Sequence, residues 1–121
     1  MQTQFERPRT RHSAFTLVEI MIVIAIIGLL AAIAIPNLVK ARTLSQKNGC
    51  IENLRQIFAA KTSWALEQRH DVGVVPVDTD LFGPTAYIRK KPECPANGTY
   101  NLQPVDTKPT CNLATIAGHT L

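Results

Sequence analysis

The stretch that decides the fold is Phe15–Pro36, FTLVEIMIVIAIIGLLAAIAIP, whose only charged residue is Glu19. About 20 consecutive apolar residues is the length that an α-helix needs to cross the hydrocarbon core of a bilayer. A chain of 121 residues could barely surround such a helix with a globular core of its own. The sequence therefore predicts a membrane-spanning helix.

Glu19 is the residue in this stretch that needs an explanation, because a lone carboxylate in a membrane helix costs about 3 kcal/mol. It lies one helical turn after Phe15, which follows a short polar segment. If the chain were cut before Phe15, the new α-amino group of a neighbouring chain could pair with this carboxylate and neutralise it on assembly. The alternative is a shallow position from which Glu19 reaches lipid headgroups and water.

The segment Ser13–Glu19, SAFTLVE, followed by an apolar helix that contains Gly28 and Pro36, resembles the class III signal of type IV pilins and type II secretion pseudopilins. In that family a membrane peptidase cuts before the Phe and N-methylates the new terminus. The resemblance implies cleavage between Ala14 and Phe15, methylation of Phe15, and pairing of Phe15 with Glu19 during assembly. Ala14 replaces the usual Gly, and it is small, as the peptidase requires.

The resemblance also implies an α+β, pilin-like fold. One long N-terminal helix, with its first half transmembrane, is expected to carry a small C-terminal antiparallel β-hairpin or sheet packed on its second half. Four segments follow from this interpretation. They are a cytoplasmic leader peptide (1–14), a transmembrane or filament-core helix (15–36), an amphipathic continuation of the helix (37–70) and a small C-terminal loop and β region (71–121).

The basic leader sets the predicted orientation. Arg7, Arg9 and Arg11 precede the apolar stretch, and Arg-rich flanks stay in the cytoplasm. We therefore expect a single-pass protein of the bacterial inner membrane with a cytoplasmic N-terminus and a periplasmic or extracytoplasmic C-terminus. Ordinary secretion, with cleavage after the apolar run, is the alternative, although this run is long for a signal peptide.

Residues 37–69 have apolar side chains three or four positions apart, the spacing of an amphipathic helix. Leu54, Ile57, Phe58 and Trp64 are predicted for the core of the small domain, whereas Lys61 is predicted for the solvated side. Pro36 lacks a backbone donor, so the sequence predicts either a helix kink at Gly28 and Pro36 or a helix end there. The resemblance implies that the helix resumes.

The C-terminal region has the punctuation of short strands. A turn signal at Ala96-Asn97-Gly98 and strand-like segments on either side of Pro104–Pro109 predict a β-hairpin over residues 98–115. Cys94 and Cys111 flank this hairpin. Because exported chains meet oxidising surroundings, a Cys94–Cys111 disulfide is predicted.

The remaining candidate ligands give weaker patterns. Cys50 would be left over as a buried thiol on the helix, and zinc binding by the three cysteines with His119 lacks any local C-x-x-C spacing, so no zinc site is predicted. Asp78 and Asp80 are calcium candidates, and the resemblance adds that type II major pseudopilins carry a calcium loop. Two aspartates fall short of a ligand set, so no cofactor is predicted.

Charge and motifs exclude several classes of protein. The formal net charge is +4, part of which lies in the leader, and this is too little for a dedicated nucleic-acid surface, so no nucleic-acid partner is expected. The chain has no P-loop, no dinucleotide-binding glycine pattern, no H-E-x-x-H and no G-x-S-x-G. We therefore do not expect an enzyme.

The function implied by the resemblance is that of a structural filament subunit, most like a major pseudopilin, of a type II secretion system or related type IV pilus-like machine. Its expected partners are further copies of itself, the prepilin peptidase, an inner-membrane assembly platform and membrane lipid. A competence pilin for DNA uptake or a type IV pilus pilin is the first alternative. A membrane-anchored binding or redox domain, whose helix is only a tether, is the second.

Overall fold

The structure is a computed structural model that describes residues 14–121. The predicted leader, apart from Ala14, lies outside the described residues. The described elements are, in chain order, α1 (Leu17–Gln68), α2 (Asp78–Leu81), β1 (Tyr100–Asn101), β2 (Thr110–Cys111) and α3 (Ala114–Ala117). One long N-terminal helix and a small antiparallel sheet confirm the predicted α+β class.

Helix α1 has 52 residues and continues through both Gly28 and Pro36. The helix therefore does not end at the proline, and a kink at these two residues stays a prediction. After the last helical residue, Arg69 has a left-handed backbone (φ 56°). The N–H of His70 then donates to the carbonyl of Ala65 at 3.0 Å, which closes the helix end.

The chain divides into two units, Met1–Leu38 and Val39–Leu121. In the described part of the first unit, the large apolar side chains of α1 are exposed; Leu29, for example, is 67% exposed. Apolar surface on this scale is not stable in water, so this unit needs a covering such as lipid or other chains.

The second unit has a small core built on the C-terminal part of α1. Ile57, Ala60 and Trp64 from α1 pack with Leu81 of α2 and with Leu102, which follows β1. The buried face of α1 begins at Cys50. The apolar spacing also included Leu38 and Leu44, but both side chains are exposed.

The predicted hairpin is present but much shorter than the sequence pattern. Strands β1 and β2 are antiparallel, with Tyr100 opposite Cys111 and Asn101 opposite Thr110. Gln103, just after β1, has a left-handed backbone (φ 57°), and Pro109, just before β2, has no N–H for a ladder. Residues 114–117 form α3 and not the predicted continuation of the second strand.

Candidate functional site

The first turn of α1 carries the residues of the predicted processing and assembly site. Ala14 and Phe15 are exposed and precede the helix. The N–H and hydroxyl of Thr16 both donate to Glu19 Oε2, at 3.1 and 3.2 Å, and the N–H of Glu19 donates to Thr16 Oγ1 at 3.2 Å. This reciprocal pattern is a capping box, which satisfies backbone donors at a helix start. Glu19 therefore has a local role in addition to the predicted one.

The apolar part of α1 is the candidate membrane or filament surface. Within residues 14–121, α1 is the one helix long and apolar enough to span a bilayer, with a mean hydropathy of 2.9 in its most apolar window. No residue of that window is buried. A Cβ added at Gly28 would meet no atom of the described chain within 4 Å, so this position is open to another helix.

The second unit contains a cluster that the sequence did not predict as a site. Cys50 of α1, Cys94 of the loop before β1, Cys111 of β2 and His119 of the C-terminal tail are all buried. Their candidate ligand atoms all lie within 4.8 Å of one another. The Cys94 Sγ and His119 Nδ1 atoms are 3.6 Å apart. The three thiols are free in the structure, so the Cys94–Cys111 disulfide stays a prediction.

Polar groups surround the sulphur atoms of this cluster. Burial raises the pKa of the Cys50 thiol to about 12, and the Tyr100 hydroxyl, which hydrogen-bonds to it, opposes that shift. The same hydroxyl accepts a hydrogen bond of 3.0 Å from Asn53 Nδ2. Burial also raises the pKa of Cys94, but backbone N–H groups of the following turn donate to its sulphur, and the net effect is a lowered pKa. These donors belong to Ala96 and Gly98.

Two glycines make the cluster possible. A Cβ added at Gly98 would lie 2.6 Å from Cys111 Sγ, closer than such atoms approach, and would make a tight contact of 3.1 Å with Cys94 Sγ. Gly118 ends α3 in the left-handed conformation (φ 65°), and its N–H donates to the carbonyl of Ala114 at 3.1 Å. A left-handed backbone favours glycine at this position. The next residue, His119, is only 2% exposed.

Lys61 is the second buried polar feature, and its predicted place on the solvated side is wrong. It is fully buried, and its Nζ donates to the carbonyls of Leu102 at 2.9 Å and Pro104 at 2.7 Å. The carbonyls of Gln103 and Thr107 are further acceptors. Burial lowers the pKa of this ammonium group. Lys61 therefore organises the connection between β1 and β2 from within the core.

The calcium candidates Asp78 and Asp80 both have protein partners. The Asp78 carboxylate pairs with the Lys91 ammonium at 2.5 Å. Asp80 Oδ2 accepts the N–H of Val77 at 2.9 Å. Calcium binding at these residues stays a prediction, and it would have to compete with Lys91 for Asp78.

Comparisons with known proteins give a consistent set of similarities. The family model described as the prokaryotic N-terminal methylation motif matches residues 9–35. The chain is 38% identical over 79 residues to the type IV major pilin protein PilA of Myxococcus xanthus. This alignment covers 60% of this chain and 36% of that protein. The chain thus spans about a third of that relative.

Two other relatives are matched over most of their length. The competence protein ComGC of Bacillus subtilis is 41% identical over 84 residues, which cover 69% of this chain and 82% of that protein. The type II secretion system core protein G of Klebsiella michiganensis is 27% identical over 106 residues, 78% of this chain and 75% of that protein. No match to a solved structure was found.

Proposed function

Because the chain belongs to the family of type IV pilins and type II secretion pseudopilins, we propose that it is the pseudopilin subunit of a type II secretion system or of a related type IV pilus-like machine. Its similarity to a type IV pilin, a competence protein and a type II secretion core protein indicates a pilin-like filament subunit. The proposal adds the system, the processing site and the assembly contact. It also assigns the chain a structural and not an enzymatic role.

The observation that supports the proposal most strongly is the exposed apolar surface of α1, in which Glu19 is the only charged residue. A tether needs apolar length, and a first-turn carboxylate would serve it only as a helix cap, which an uncharged Gln could also supply. A filament subunit must leave the bilayer, so its apolar surface has to be covered afterwards by other copies. The long exposed apolar surface and its single charge therefore fit a filament subunit better than a tether.

The proposed assembly step begins with cleavage between Ala14 and Phe15, which creates an α-amino group at Phe15. With an ordinary pKa of about 8, this amine is mostly protonated at neutral pH, before or after methylation. In an apolar surrounding, the Glu19 carboxylate is stable only with a partner of opposite charge. The hydrogen bonds of the capping box go to Oε2, so Oε1 can face the amine of a neighbouring subunit.

We propose that the precursor is an inner-membrane protein with its N-terminus in the cytoplasm and the unit Val39–Leu121 on the periplasmic or extracytoplasmic side. The prepilin peptidase and an assembly platform in the inner membrane are its expected partners during processing and polymerisation. The alignment with type II secretion core protein G supports the secretion assignment, because it covers 78% of this chain, against 69% for the alignment with ComGC. The 41% identity to ComGC favours a competence pilin as the second candidate.

The test is Glu19→Gln in the native cells, with Glu52→Gln as the matched control. Glu52 is an exposed carboxylate on the same helix and pairs with Arg55 at 3.4 Å. We expect Glu19→Gln to leave the amount of inserted, cleaved subunit unchanged. The yield of filaments sheared from the cells should fall at least tenfold. The Glu52→Gln chain should polymerise like the wild type.

The same strains also identify the system. Loss of exported proteins from the medium in the Glu19→Gln strain supports a secretion pseudopilus, whereas loss of DNA uptake with normal secretion supports the competence alternative. Filaments, secretion and DNA uptake that all persist in the Glu19→Gln strain would contradict assembly through this carboxylate. If the persisting filaments also lacked this chain, it would be a membrane-anchored domain.

A further inference from the structure

The buried cluster of Cys50, Cys94, Cys111 and His119 lies apart from the residues used in the proposed filament contact, and nothing in that function requires it. We propose that these four side chains bind one Zn²⁺ ion as a structural site. The ion takes the role of the staple that a small domain of this size needs. The inference does not depend on which secretion or pilus machine the chain serves.

The distances within the cluster are close to those that a tetrahedral metal site requires. With Zn–S of about 2.3 Å and Zn–N of about 2.0–2.1 Å, tetrahedral ligands place sulphur and nitrogen about 3.6 Å apart and two sulphurs about 3.8 Å apart. The Cys94 Sγ and His119 Nδ1 atoms are 3.6 Å apart. All four ligand atoms lie within 4.8 Å of one another, so small side-chain movements bring them to zinc distances.

The chemistry of the donors selects the metal and its role. Three thiolates and one imidazole are a common ligand set for structural zinc, and four protein ligands leave no open position for substrate or water. All four residues are at most 5% exposed, which also excludes solvent from the metal. The thiols bind as thiolates and release their protons to solvent. The site is therefore structural and not catalytic.

A single disulfide explains the cluster less well than zinc does. A Cys94–Cys111 bridge would use two sulphurs at about 2.05 Å and would leave Cys50 and His119 without a reason to converge on them. The buried imidazole is the decisive member, because it has no role in a disulfide. Its Nδ1 faces Cys94 Sγ inside the second unit, where a fourth zinc ligand has to lie.

The groups around the sulphurs act as an outer shell for the ion. N–H groups of Ala96 and Gly98 donate to Cys94 Sγ, and the Tyr100 hydroxyl hydrogen-bonds to Cys50. Such contacts orient metal ligands and stabilise the negative charge on sulphur. Because the ligands come from α1, the loop before β1, strand β2 and the C-terminal tail, one ion would tie α1 to the whole C-terminal chain.

The first experiment is metal analysis of the full chain, purified from membranes in detergent without chelators. Elemental analysis by mass spectrometry should find one zinc per chain. After exchange of zinc for Co²⁺, the absorption spectrum should show the visible bands of tetrahedral cobalt and a sulphur-to-cobalt charge-transfer band in the near ultraviolet. Both readouts use the wild-type chain, so neither depends on the folding of a variant.

Variants then assign the ligands. Cys50→Ser and His119→Gln should each lower the zinc content at least tenfold. Neither residue belongs to a Cys94–Cys111 bridge, so this loss distinguishes a zinc site from a disulfide. His70→Gln is the matched control, because His70 is exposed and its ring stacks on Trp64 at 4.1 Å, away from the cluster. Its zinc content should equal that of the wild type.

Three results would overturn the proposal. The first is a metal-free chain with a Cys94–Cys111 disulfide in peptide mapping. The second is a reduced chain that takes up neither zinc nor cobalt when either ion is added. The third is a zinc content that Cys50→Ser and His119→Gln leave unchanged, since the ion would then be bound elsewhere.

Discussion

Lys61 is the residue whose environment differs most from its sequence pattern. A lysine in an amphipathic helix is normally solvated, yet the Lys61 ammonium group lies in the core and donates to carbonyls on both sides of Gln103. Those carbonyls belong to a segment that makes no regular ladder, so their acceptors need a donor from elsewhere. The three N–H donors of the ammonium group are matched by the close carbonyls of Leu102, Pro104 and Thr107, which makes a buried lysine tolerable.

Replacing Lys61 with Met should therefore destabilise the C-terminal unit by about 2–4 kcal/mol, because several buried carbonyls lose their donor together. Lys90→Met is the matched control at an exposed position and should change stability by less than about 0.5 kcal/mol. Fluorescence of Trp64, the single tryptophan, follows denaturant unfolding of this unit. Equal midpoints for the two variants would mean that the Lys61 contacts contribute nothing net.

Gly98 gives a second residue-scale prediction. A methyl group at this position would overlap Cys111 Sγ and crowd Cys94 Sγ, and both atoms are fixed within a buried cluster. We expect Gly98→Ala to cost about 1–3 kcal/mol by overpacking, and to reduce zinc content as the sulphurs separate. Gly73→Ala is the control, since a Cβ there meets no atom of the described chain within 4 Å. The same Trp64 unfolding curve measures both, and a stable, zinc-loaded Gly98→Ala chain would contradict the close approach.

At the scale of elements, α1 was predictable because its information is local. The apolar run is visible in consecutive residues, and so is the T-x-x-E pattern of the Thr16–Glu19 capping box, although the prediction rested on the apolar run alone. The metal cluster was not predictable in the same way, because its ligands lie far apart in the chain and come from four different segments. The one local signal was the turn at Ala96–Gly98, which the sequence assigned to a hairpin and which also donates to Cys94.

The short strands β1 and β2 were also difficult to predict from local sequence. Residues 99–102 and 110–115 have strand-like composition, but only two residue pairs form a ladder. The conformations of Gln103 and Gly118 depend on what the following residues pack against, and neither is encoded in the alternation of side chains. Tertiary contacts therefore set the ends of β1, β2 and α3, whereas propensity alone set the expected ones.

Helix α1 also carries an element-scale prediction about assembly. Gly28→Leu adds a side chain where the described chain has open space, so it should leave membrane insertion and cleavage intact. In a filament, helices approach closely at small residues, and a leucine there would hold them apart. We expect filament yield to fall at least tenfold at an unchanged level of cleaved subunit. Normal filaments would mean that Gly28 does not face another helix in the polymer.

The whole molecule combines two units that are stabilised by different means. The described part of the first unit is exposed apolar helix, which depends on lipid or on other copies. The second unit has its own core, although that core is small and the sheet contributes only two residue pairs. A core of this size gives limited stability. The unit Val39–Leu121 should accordingly be the part that depends on the metal.

Zinc removal is thus the prediction that concerns the whole chain. An ion present at about 1,000 times its Kd stabilises the folded form by about 4 kcal/mol, which for a unit of this size corresponds to a loss of roughly 15–30 °C in Tm on chelation. We expect a strong zinc chelator to lower the Trp64 melting temperature of the detergent-solubilised chain by this order. Far-ultraviolet circular dichroism should retain the signal of the apolar part of α1.

The comparison of chelator with reductant then separates zinc from a disulfide. A reductant that does not bind metal should leave the melting temperature unchanged if zinc holds the cluster, because the cysteines are already thiolates. The Cys50→Ser chain is the internal control: it should melt early and should not respond to the chelator. A chain that loses its stability with the reductant and keeps it with the chelator is held by a Cys94–Cys111 disulfide and not by zinc.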